Sequence, residues 1–463
     1  MATNPKNVAP GAQPVYESAE KIYPREMKGR YATFSQWSTI ALLGLFYLVP
    51  WLQWSGRQAF LFDLPERKFY LLGLTLWPQD FPFLAVLLII AAITLFFFTA
   101  LAGRLWCGFA CPQTVWTEAF IWMEQWTEGT RSQRMKLDKA PMSWNKFRRK
   151  FAKQFLWITF SLWTGYTFVG YFTPIREFGL ELIGLQVGGW ALFWTLFYGF
   201  ATYGNAGYMR EQVCKYMCPY ARFQSAMFDK DTLIISYDEA RGEPRGGRKR
   251  QVDYKAQGLG DCIDCTLCVQ VCPTGIDIRD GLQYECIACG ACVDACNSVM
   301  DKMNYPRGLV RFTTEHALKG EETRILRPRT FVYAGLLTVL ILGLVTSMVM
   351  RTPVILDVIR DRNALYRELP ADMIENIYTI KLINQTNDAR EFVLTVDGLP
   401  GLELDGVPDR ILVEGGNVLS LPVRARASRD EARGSREIAF TATPTDNTED
   451  RRVSESRFVG PIR

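Results

Sequence analysis

The feature that most restricts this chain is a pair of matching cysteine runs between residues 262 and 296. Both have the spacing C-x2-C-x2-C-x3-C, and their members are Cys262, Cys265, Cys268 and Cys272, then Cys286, Cys289, Cys292 and Cys296. Ferredoxins with two [4Fe–4S] clusters have this spacing, and in them the fourth cysteine of each run binds the other cluster. The predicted ligand sets are therefore Cys262, Cys265, Cys268 and Cys296 for one cluster, and Cys286, Cys289, Cys292 and Cys272 for the other.

Cysteine usage as a whole indicates metal and redox chemistry. Zinc also binds four thiolates, but zinc modules separate two cysteine pairs by a longer loop. All twelve cysteines fall in C-x2-C or C-x3-C spacings, which favours a reducing compartment over a disulfide framework. The net charge of +5 is too small to indicate a nucleic-acid partner, and the single histidine, His316, excludes a haem with two histidine ligands.

Five apolar stretches reach the ~20 residues that a membrane helix needs. They are residues 34–54, 81–102, 155–172, 185–206 and 331–350. Lysine and arginine are dense before the first stretch and between the second and third, and sparse in the segments on the other side. The positive-inside rule then places the N-terminus and the cysteine runs in the cytoplasm and the C-terminus in the periplasm. We therefore predict a multi-pass protein of the bacterial inner membrane.

The predicted fold is a multi-domain α+β membrane protein. It combines a five-helix transmembrane bundle, an inserted two-cluster ferredoxin domain and a C-terminal immunoglobulin-like β-sandwich. Its segments are a mobile cytoplasmic arm (1–33), four membrane helices (34–237), an exposed basic linker (238–260), the ferredoxin-type domain with its return segment (261–330), a fifth membrane helix (331–350) and a periplasmic β domain (351–463). Strand-like alternation supports the last assignment at 377–384, 391–396, 410–413, 418–425 and 436–443.

The other four cysteines form a weak internal repeat. Each pair of apolar stretches leads into a C-x3-C-P motif, and the four residues are Cys107, Cys111, Cys214 and Cys218. An amphipathic stretch follows each motif, at 114–126 and at 220–228. On a helix, residues i and i+4 share a face, so each motif is predicted to point two sulfurs in one direction. Four converging thiols could bind Cu(I), hold a further iron–sulfur site or cycle to disulfides, and the alternative is inert packing.

Together these features resemble the cytochrome c oxidase accessory protein family, known as FixG, RdxA or CcoG. The resemblance rests on the paired motifs, the dicluster run, the stretch 306–315, the last apolar stretch and the C-terminal β domain. It implies a membrane polyferredoxin that takes part in assembling the cbb3-type cytochrome oxidase, with cupric reductase activity. By the same resemblance, the eight run cysteines are cluster ligands, and a catalytic role and copper binding are expected of Cys107, Cys111, Cys214 and Cys218.

We expect single electrons to pass from a cytoplasmic donor through two [4Fe–4S] clusters to Cu(II) at the C-x3-C-P cysteines, because thiolates favour Cu(I). The expected partners are membrane lipid, the donor, a copper transporter or chaperone and cbb3-type oxidase assembly factors, without nucleic acid; a homodimer is left open. Two rival hypotheses are a quinol-linked electron conduit of the polyferredoxin type and a non-redox assembly scaffold.

Overall fold

The computed structural model describes residues 21–250, 253–362, 364–370, 372–386 and 388–461. The chain forms two compact units, Met1–Ile341 and Leu342–Arg463. The first unit is mainly helical, and the second consists of β-strands. The helices of the chain are α1 (Arg30–Leu48), α2 (Phe81–Ala102), α3 (Leu105–Phe109), α4 (Pro112–Glu128), α5 (Arg131–Lys139), α6 (Trp144–Val169), α7 (Ile175–Ile183), α8 (Gly189–Thr202), α9 (Pro219–Met227), α10 (Glu239–Gly242), α11 (Leu267–Gln270), α12 (Ala291–Met303), α13 (Glu315–Leu318) and α14 (Pro328–Val349).

Three of these helices are long and apolar enough to cross a membrane. Among the described residues, the qualifying segments are Arg30–Trp51, Pro78–Ala102 and Pro328–Val349, which contain α1, α2 and α14. Few of their residues are buried, between 6 and 11% in each span. Such exposed apolar helices are stable when lipid surrounds them. These three segments coincide with the first, second and last of the predicted spans.

By length and composition, three of the five predicted membrane helices are identified among the described residues. Helix α6 is long, but its first half carries several basic side chains and only residues 154–169 are free of charge. Helix α8 has 14 residues and then changes into a π-helix at Tyr203–Met209. Neither apolar part reaches the roughly 20 residues that span a bilayer. The two helices instead pack closely on each other, since a Cβ on Gly165 would lie 2.2 Å from the carbonyl oxygen of Thr195.

Two small antiparallel sheets fill the segment between α1 and α2. They consist of β1 (Gln53–Trp54) with β2 (Arg57–Gln58), and of β3 (Phe60–Asp63), β4 (Lys68–Leu71) and β5 (Leu74–Leu76). The side chain of Gln58 donates to the carbonyl oxygen of Gly170 at 2.7 Å and accepts from the amide of Ile175 at 2.9 Å. This buried side chain thereby fixes the sheet segment to the end of α6.

The eight-cysteine region lies in a small α/β domain within the first unit, which we call the dicluster unit. Strand β6 (Ile234–Tyr237) pairs antiparallel with β7 (Val310–Thr313), so the unit begins before the predicted linker and closes after α12. Its core contains Ile235, Val293, Met300 and Leu309. Pairing of the first and last strands joins the two ends of the unit, and the two cysteine loops and α12 lie between them in sequence.

The predicted exposed linker is packed against this unit in its described part, residues 238–250 and 253–260. The Arg248 guanidinium donates to the carbonyl oxygen of Gly260 at 2.6 Å and lies over the rings of Tyr254 and Tyr305. Arg241 pairs with Asp261 at 2.5 Å. Most residues of this part are exposed, as predicted, whereas these two arginines bind carboxylate, carbonyl and aromatic groups of their own domain.

The prediction of a mobile N-terminal arm is also corrected for residues 21–29; residues 1–20 lie outside the described residues. Tyr23 donates to Asp138 at 2.6 Å, and the amide of Arg25 donates to the carbonyl oxygen of Gln270 at 2.9 Å. Further on, the amide of Ala32 donates to Asp294 at 2.8 Å, so that a carboxylate of α12 caps the start of α1. The first apolar helix is thus attached to the dicluster unit.

The second unit is a sandwich of two antiparallel sheets. The strands are β8 (Val354–Arg360), β9 (Arg367–Leu369), β10 (Met373–Asn384), β11 (Arg390–Asp397), β12 (Glu403–Asp405), β13 (Ile411–Val413), β14 (Val418–Ser428), β15 (Ser435–Pro444) and β16 (Arg452–Val459). One sheet has the order β12-β14-β10-β8 with β9 on β10, and the other has the order β13-β11-β15-β16. All five predicted strands are confirmed. Phe392, Phe440 and Phe458 are fully buried in the core, and Asn376 exchanges hydrogen bonds with the backbone of Val459 across the sheets.

Candidate electron-transfer site

The two cysteine loops have the same backbone conformation. Asp264 and Thr266 adopt positive φ angles of 53° and 54° in the first loop, and Ala288 and Gly290 adopt 55° and 77° at the equivalent positions of the second. Left-handed residues at these places let the chain wrap around a small volume, and a helix then begins in each loop, α11 in the first and α12 in the second. The sequence repeat is therefore also a structural repeat.

The first predicted ligand set comes together in space. Burial, together with the thiolates nearby, raises the pKa of Cys296 to about 12. Those thiolates belong to Cys268, Cys262 and Cys265. Because Cys296 lies on α12, after the second loop, this arrangement is the crossed pairing that the ferredoxin motif predicts.

The second predicted ligand set also comes together. Burial raises the pKa of Cys289 to about 12, with Cys272 and Cys286 as thiolate neighbours. Cys292 likewise interacts with Cys289, Cys286 and Cys272. A small cavity is lined by thiols of this set together with Cys268 from the first. The two ligand sets are therefore adjacent.

The chemistry of the donor set fits iron. Bare thiolates are costly at buried positions, and the raised pKa values express that cost. Backbone N–H groups oppose the shift at three positions, from Ala288 for Cys286, from Ala291 for Cys289 and from Val310 for Cys296. N–H groups directed at sulfur are among the means by which proteins tune iron–sulfur clusters. When bound, two [4Fe–4S] clusters would supply storage and transfer of single electrons.

The C-x3-C-P motifs do not form continuous helices as predicted. Cys107 lies in the short helix α3, whereas Cys111 is the extended N-cap residue of α4. Cys214 lies in a π-helical turn, Val213–Met217, and Cys218 is the extended N-cap residue of α9. The proline after each second cysteine is the reason, because it disfavours helical backbone in the residue before it and starts a new helix well.

The four motif cysteines nevertheless lie near one another, and we call them the thiol quartet. Cys107 interacts with Cys111 and Cys214, and Cys214 interacts with Cys111 and Cys218. Burial raises the pKa of Cys107 to about 12 and that of Cys214 to about 11. Within the described residues, no three histidine, cysteine or carboxylate side chains are close enough to hold a single metal ion, and this holds for the eight run cysteines as well as for the quartet.

The quartet touches the loop of the second ligand set. A Cβ on Gly108 would lie 2.8 Å from the carbonyl oxygen of Ile287 and 2.9 Å from that of Ala288. Both carbonyls lie between Cys286 and Cys289 in sequence, and Gly108 directly follows Cys107. Only glycine allows the two backbones to come this close. The two cysteine centres are therefore in direct contact through the main chain.

Sequence reasoning missed Arg104, which lies at the same contact. Its side chain is 5% exposed, and it donates to the carbonyl oxygens of Cys286 at 3.2 Å and Ala221 at 2.8 Å. The charged neighbours of the guanidinium include the thiolates of Cys107 and Cys214. Its Nε has no hydrogen-bond partner among the described residues. The available signal was an arginine three residues before the first motif cysteine. It was counted only as one of the basic residues that indicate the cytoplasmic side of the membrane.

Gln224 is a second residue that the sequence did not reveal. It is fully buried on α9, and Cys107 Sγ donates to its Oε1 at 3.3 Å. The contact joins the first C-x3-C-P motif to the helix that follows the second. Thr114 adds a hydrogen bond of 2.6 Å to the carbonyl oxygen of Cys107. These bonds fix the backbone and the thiol of Cys107.

A buried ion network supports the quartet from the other side. The fully buried carboxylate of Glu124 lies 3.0 Å from Arg134 and 3.1 Å from Arg210. The amide of Gln113 donates to the carbonyl oxygen of Arg210 at 3.0 Å. Arg210 begins the turn that leads to Cys214, and its φ of 40° is unusual for a residue with a side chain. Removing one member of such a network leaves another charge buried and unpaired.

Sequence profiles of three protein families match this chain. The 4Fe-4S dicluster domain matches residues 209–315, which include all eight run cysteines and the second C-x3-C-P motif. A 4Fe-4S binding domain matches residues 84–129, which include the first motif. The IG-like fold at the C-terminal of FixG matches residues 344–461, the β-sandwich unit. The chain therefore contains ferredoxin-type 4Fe-4S domains and an immunoglobulin-like C-terminal domain.

Characterised relatives match over most of the chain. "Nitrogen fixation protein FixG" of Rhizobium meliloti is 37% identical over 85% of this chain and 82% of its own length. "Protein RdxA" of Cereibacter sphaeroides is 39% identical over 90% and 89%, and "Protein RdxB" of the same organism is 39% identical over 86% and 87%. The crystal structure of a FixG-related protein from Vibrio parahaemolyticus is 38% identical and covers 23% of this chain and 96% of that chain, with a TM-score of 0.22. The chain is a member of the FixG/RdxA family of iron–sulfur electron-transfer proteins.

Proposed function

We propose that this chain is a membrane-bound reductase that transfers single electrons from its dicluster unit to Cu(II) at the thiol quartet. The Cu(I) produced would serve assembly of a cbb3-type cytochrome c oxidase, through a copper transporter or chaperone. The observation that carries the proposal is the main-chain contact of Gly108 with the loop between Cys286 and Cys289. Backbones in contact leave a short path between the two centres.

The chemistry of the quartet suits copper as the substrate. Cu(II) takes up one electron and becomes Cu(I), which prefers thiolate ligands, so thiolate binding favours the reduced product. The raised pKa values of Cys107 and Cys214 imply that protons leave when copper binds.

The sidedness of the membrane follows from charge in this proposal. Three spans, like five, put the N-terminus and the C-terminal β unit on opposite sides. Basic residues are concentrated near the start of α1 and in the segment between α2 and α6. The positive-inside rule then assigns the dicluster unit and the quartet to the cytoplasm and the β unit to the periplasm.

The test measures copper reduction and cluster content in the same preparation. Full-length protein is purified without oxygen, and Cu(I) is detected with a chelating dye after reduction and addition of Cu(II). The double variant Cys107→Ala with Cys214→Ala should lose cupric reduction while the EPR signals of both clusters persist. Met217→Ala is the matched control, because this exposed thioether lies beside Cys218 and outside the quartet. Equal copper reduction in the double variant would overturn the proposal.

A further iron–sulfur site at the quartet is a second candidate. The observation that favours it is the match of the 4Fe-4S binding domain to residues 84–129, which contain Cys107 and Cys111. The two candidates differ in iron content. Two [4Fe–4S] clusters give about eight iron atoms per chain, whereas a third gives about twelve. In the copper proposal the double variant keeps its full iron content, and a loss of about four iron atoms would support the third cluster instead.

A further inference from the structure

A large cavity adjoins both cysteine centres in the first unit. Its volume is about 680 Å³, within the range of sites that bind small organic ligands. The wall includes Cys214 of the quartet and Cys289 of the second ligand set. The remaining wall comes from the segment before α1, from α1 and α4, from the turn before Cys214, and from residues in and beside the two cysteine loops. A molecule in this cavity would lie directly beside both centres.

Most of the wall is apolar and much of it belongs to a candidate membrane helix and its neighbour. Ile40 and Gln36 contribute from α1, and Ile121, Trp122 and Trp126 contribute from α4. Helix α1 lies within the membrane-spanning segment Arg30–Trp51. Indole side chains offer flat apolar faces against which a ring can stack. The cavity therefore suits a ligand that is both ring-shaped and lipid-soluble.

The wall also carries polar side chains, of which six are charged: Arg25, Glu26, Lys28, Glu118, Arg210 and Glu211. Glu118 accepts hydrogen bonds from Ser35 at 2.6 Å and from Thr39 at 3.1 Å, which fix its carboxyl group against α1. Ser35, Thr117 and Glu118 all line the cavity. A ring with oxygen substituents can add hydrogen bonds to these groups, whereas a fatty acyl chain cannot.

We propose that this cavity binds the head group of a membrane quinol. Three features meet there: a largely apolar surface that includes a membrane helix, hydrogen-bonding side chains, and the two cysteine centres. A quinol that becomes a quinone releases two electrons and two protons. The eight run cysteines would hold two [4Fe–4S] clusters, which would supply acceptors for one electron each, and the protons would leave to water. The quinol is thus the electron donor of the function proposed above.

The experiment measures binding directly, without copper, so that it and the proposed function can fail separately. Full-length protein in lipid nanodiscs is titrated with a fluorescent hydroxyquinoline N-oxide, a quinol analogue whose emission falls on binding. We expect saturable binding that Ile121→Trp weakens by about tenfold or more, because the larger side chain fills the cavity. Ile158→Trp is the matched control, since this residue of α6 is 47% exposed and lies outside the cavity wall.

Iron content and cluster EPR signals verify that each variant is folded. If Ile121→Trp does not retain its clusters, Glu118→Gln replaces it, with weaker binding expected from the lost carboxylate. A photoreactive quinone then locates the site, and labelling is expected in α1 or α4. Absence of saturable binding, equal binding in the cavity variant, or labelling confined to other segments would each overturn the proposal. Quenching that matches protein-free nanodiscs would identify mere lipid partitioning and overturn it too.

Discussion

Substituting Gly108 by alanine tests the contact between the two cysteine centres. The new Cβ would lie 2.8 Å and 2.9 Å from two carbonyl oxygens, whereas ordinary contacts begin at 3.4 Å. Both oxygens belong to the backbone of the loop between Cys286 and Cys289, so that loop or α3 must move by about half an ångström. Overpacking of this kind costs about 1–3 kcal/mol, against which alanine gains about 0.5–1 kcal/mol in a helix.

Gly44→Ala in α1 is the matched control, because a Cβ there has nothing within 4 Å. Thermal unfolding in detergent should show a lower melting temperature for Gly108→Ala than for wild type, and an unchanged or slightly higher one for Gly44→Ala. Electron transfer to copper should also slow in Gly108→Ala alone, because the two centres move apart. If both variants melt and react alike, the close approach of the two loops is refuted.

Three further predictions concern single side chains. Arg104→Gln should lower the midpoint potential of the adjacent cluster, because the reduced cluster loses a nearby positive charge, and should cost about 1.5–3 kcal/mol of stability. In a redox titration, Arg104→Lys should retain most of the wild-type potential. An unchanged potential in Arg104→Gln would contradict this role. In metal-free protein, alkylation of Cys214 should be slow at neutral pH and rise about tenfold per pH unit, because burial raises the pKa of this thiol to about 11; a rate independent of pH would contradict it. For Asp138, burial raises the pKa, but hydrogen bonds from Lys150, Lys21 and Tyr23 outweigh it and lower the pKa well below 3.8. The attachment of residues 21–23 should therefore be complete above pH 4 and weaken only as pH falls further, and Asp138→Asn should expose this segment to trypsin at neutral pH; equal cleavage of wild type and variant would count against the attachment.

The sequence was most informative where chemistry depends on local spacing. The crossed sets around Cys296 and Cys272 follow from the C-x2-C-x2-C-x3-C spacing of two-cluster ferredoxins. Each loop supplies three ligands to one cluster within seven residues, and the fourth cysteine of each run binds the cluster of the other loop. Strand alternation in the C-terminal unit was equally readable, since each strand has one face toward a core that contains Phe392 and Phe440.

Features that depend on contacts between distant segments could not be read in advance. Gly108 becomes informative only when Ile287 is seen beside it, about 180 residues further along the chain. Arg248 looked like a solvated charge because its aromatic partner Tyr305 is remote in sequence. Hydropathy also overcounted the membrane spans, since it does not register that α8 ends in a π-helix at Tyr203.

The central claim is that electrons pass from the dicluster unit to copper at the quartet, and rapid-freeze EPR tests it most directly. Protein reduced without oxygen is mixed with one equivalent of Cu(II) and frozen at successive times. The account predicts that the cluster signal and the Cu(II) signal disappear together in the wild type. In Cys107→Ala with Cys214→Ala, both signals should persist over the same interval. Loss of Cu(II) at the same rate in both proteins, or loss without cluster oxidation, would contradict the account.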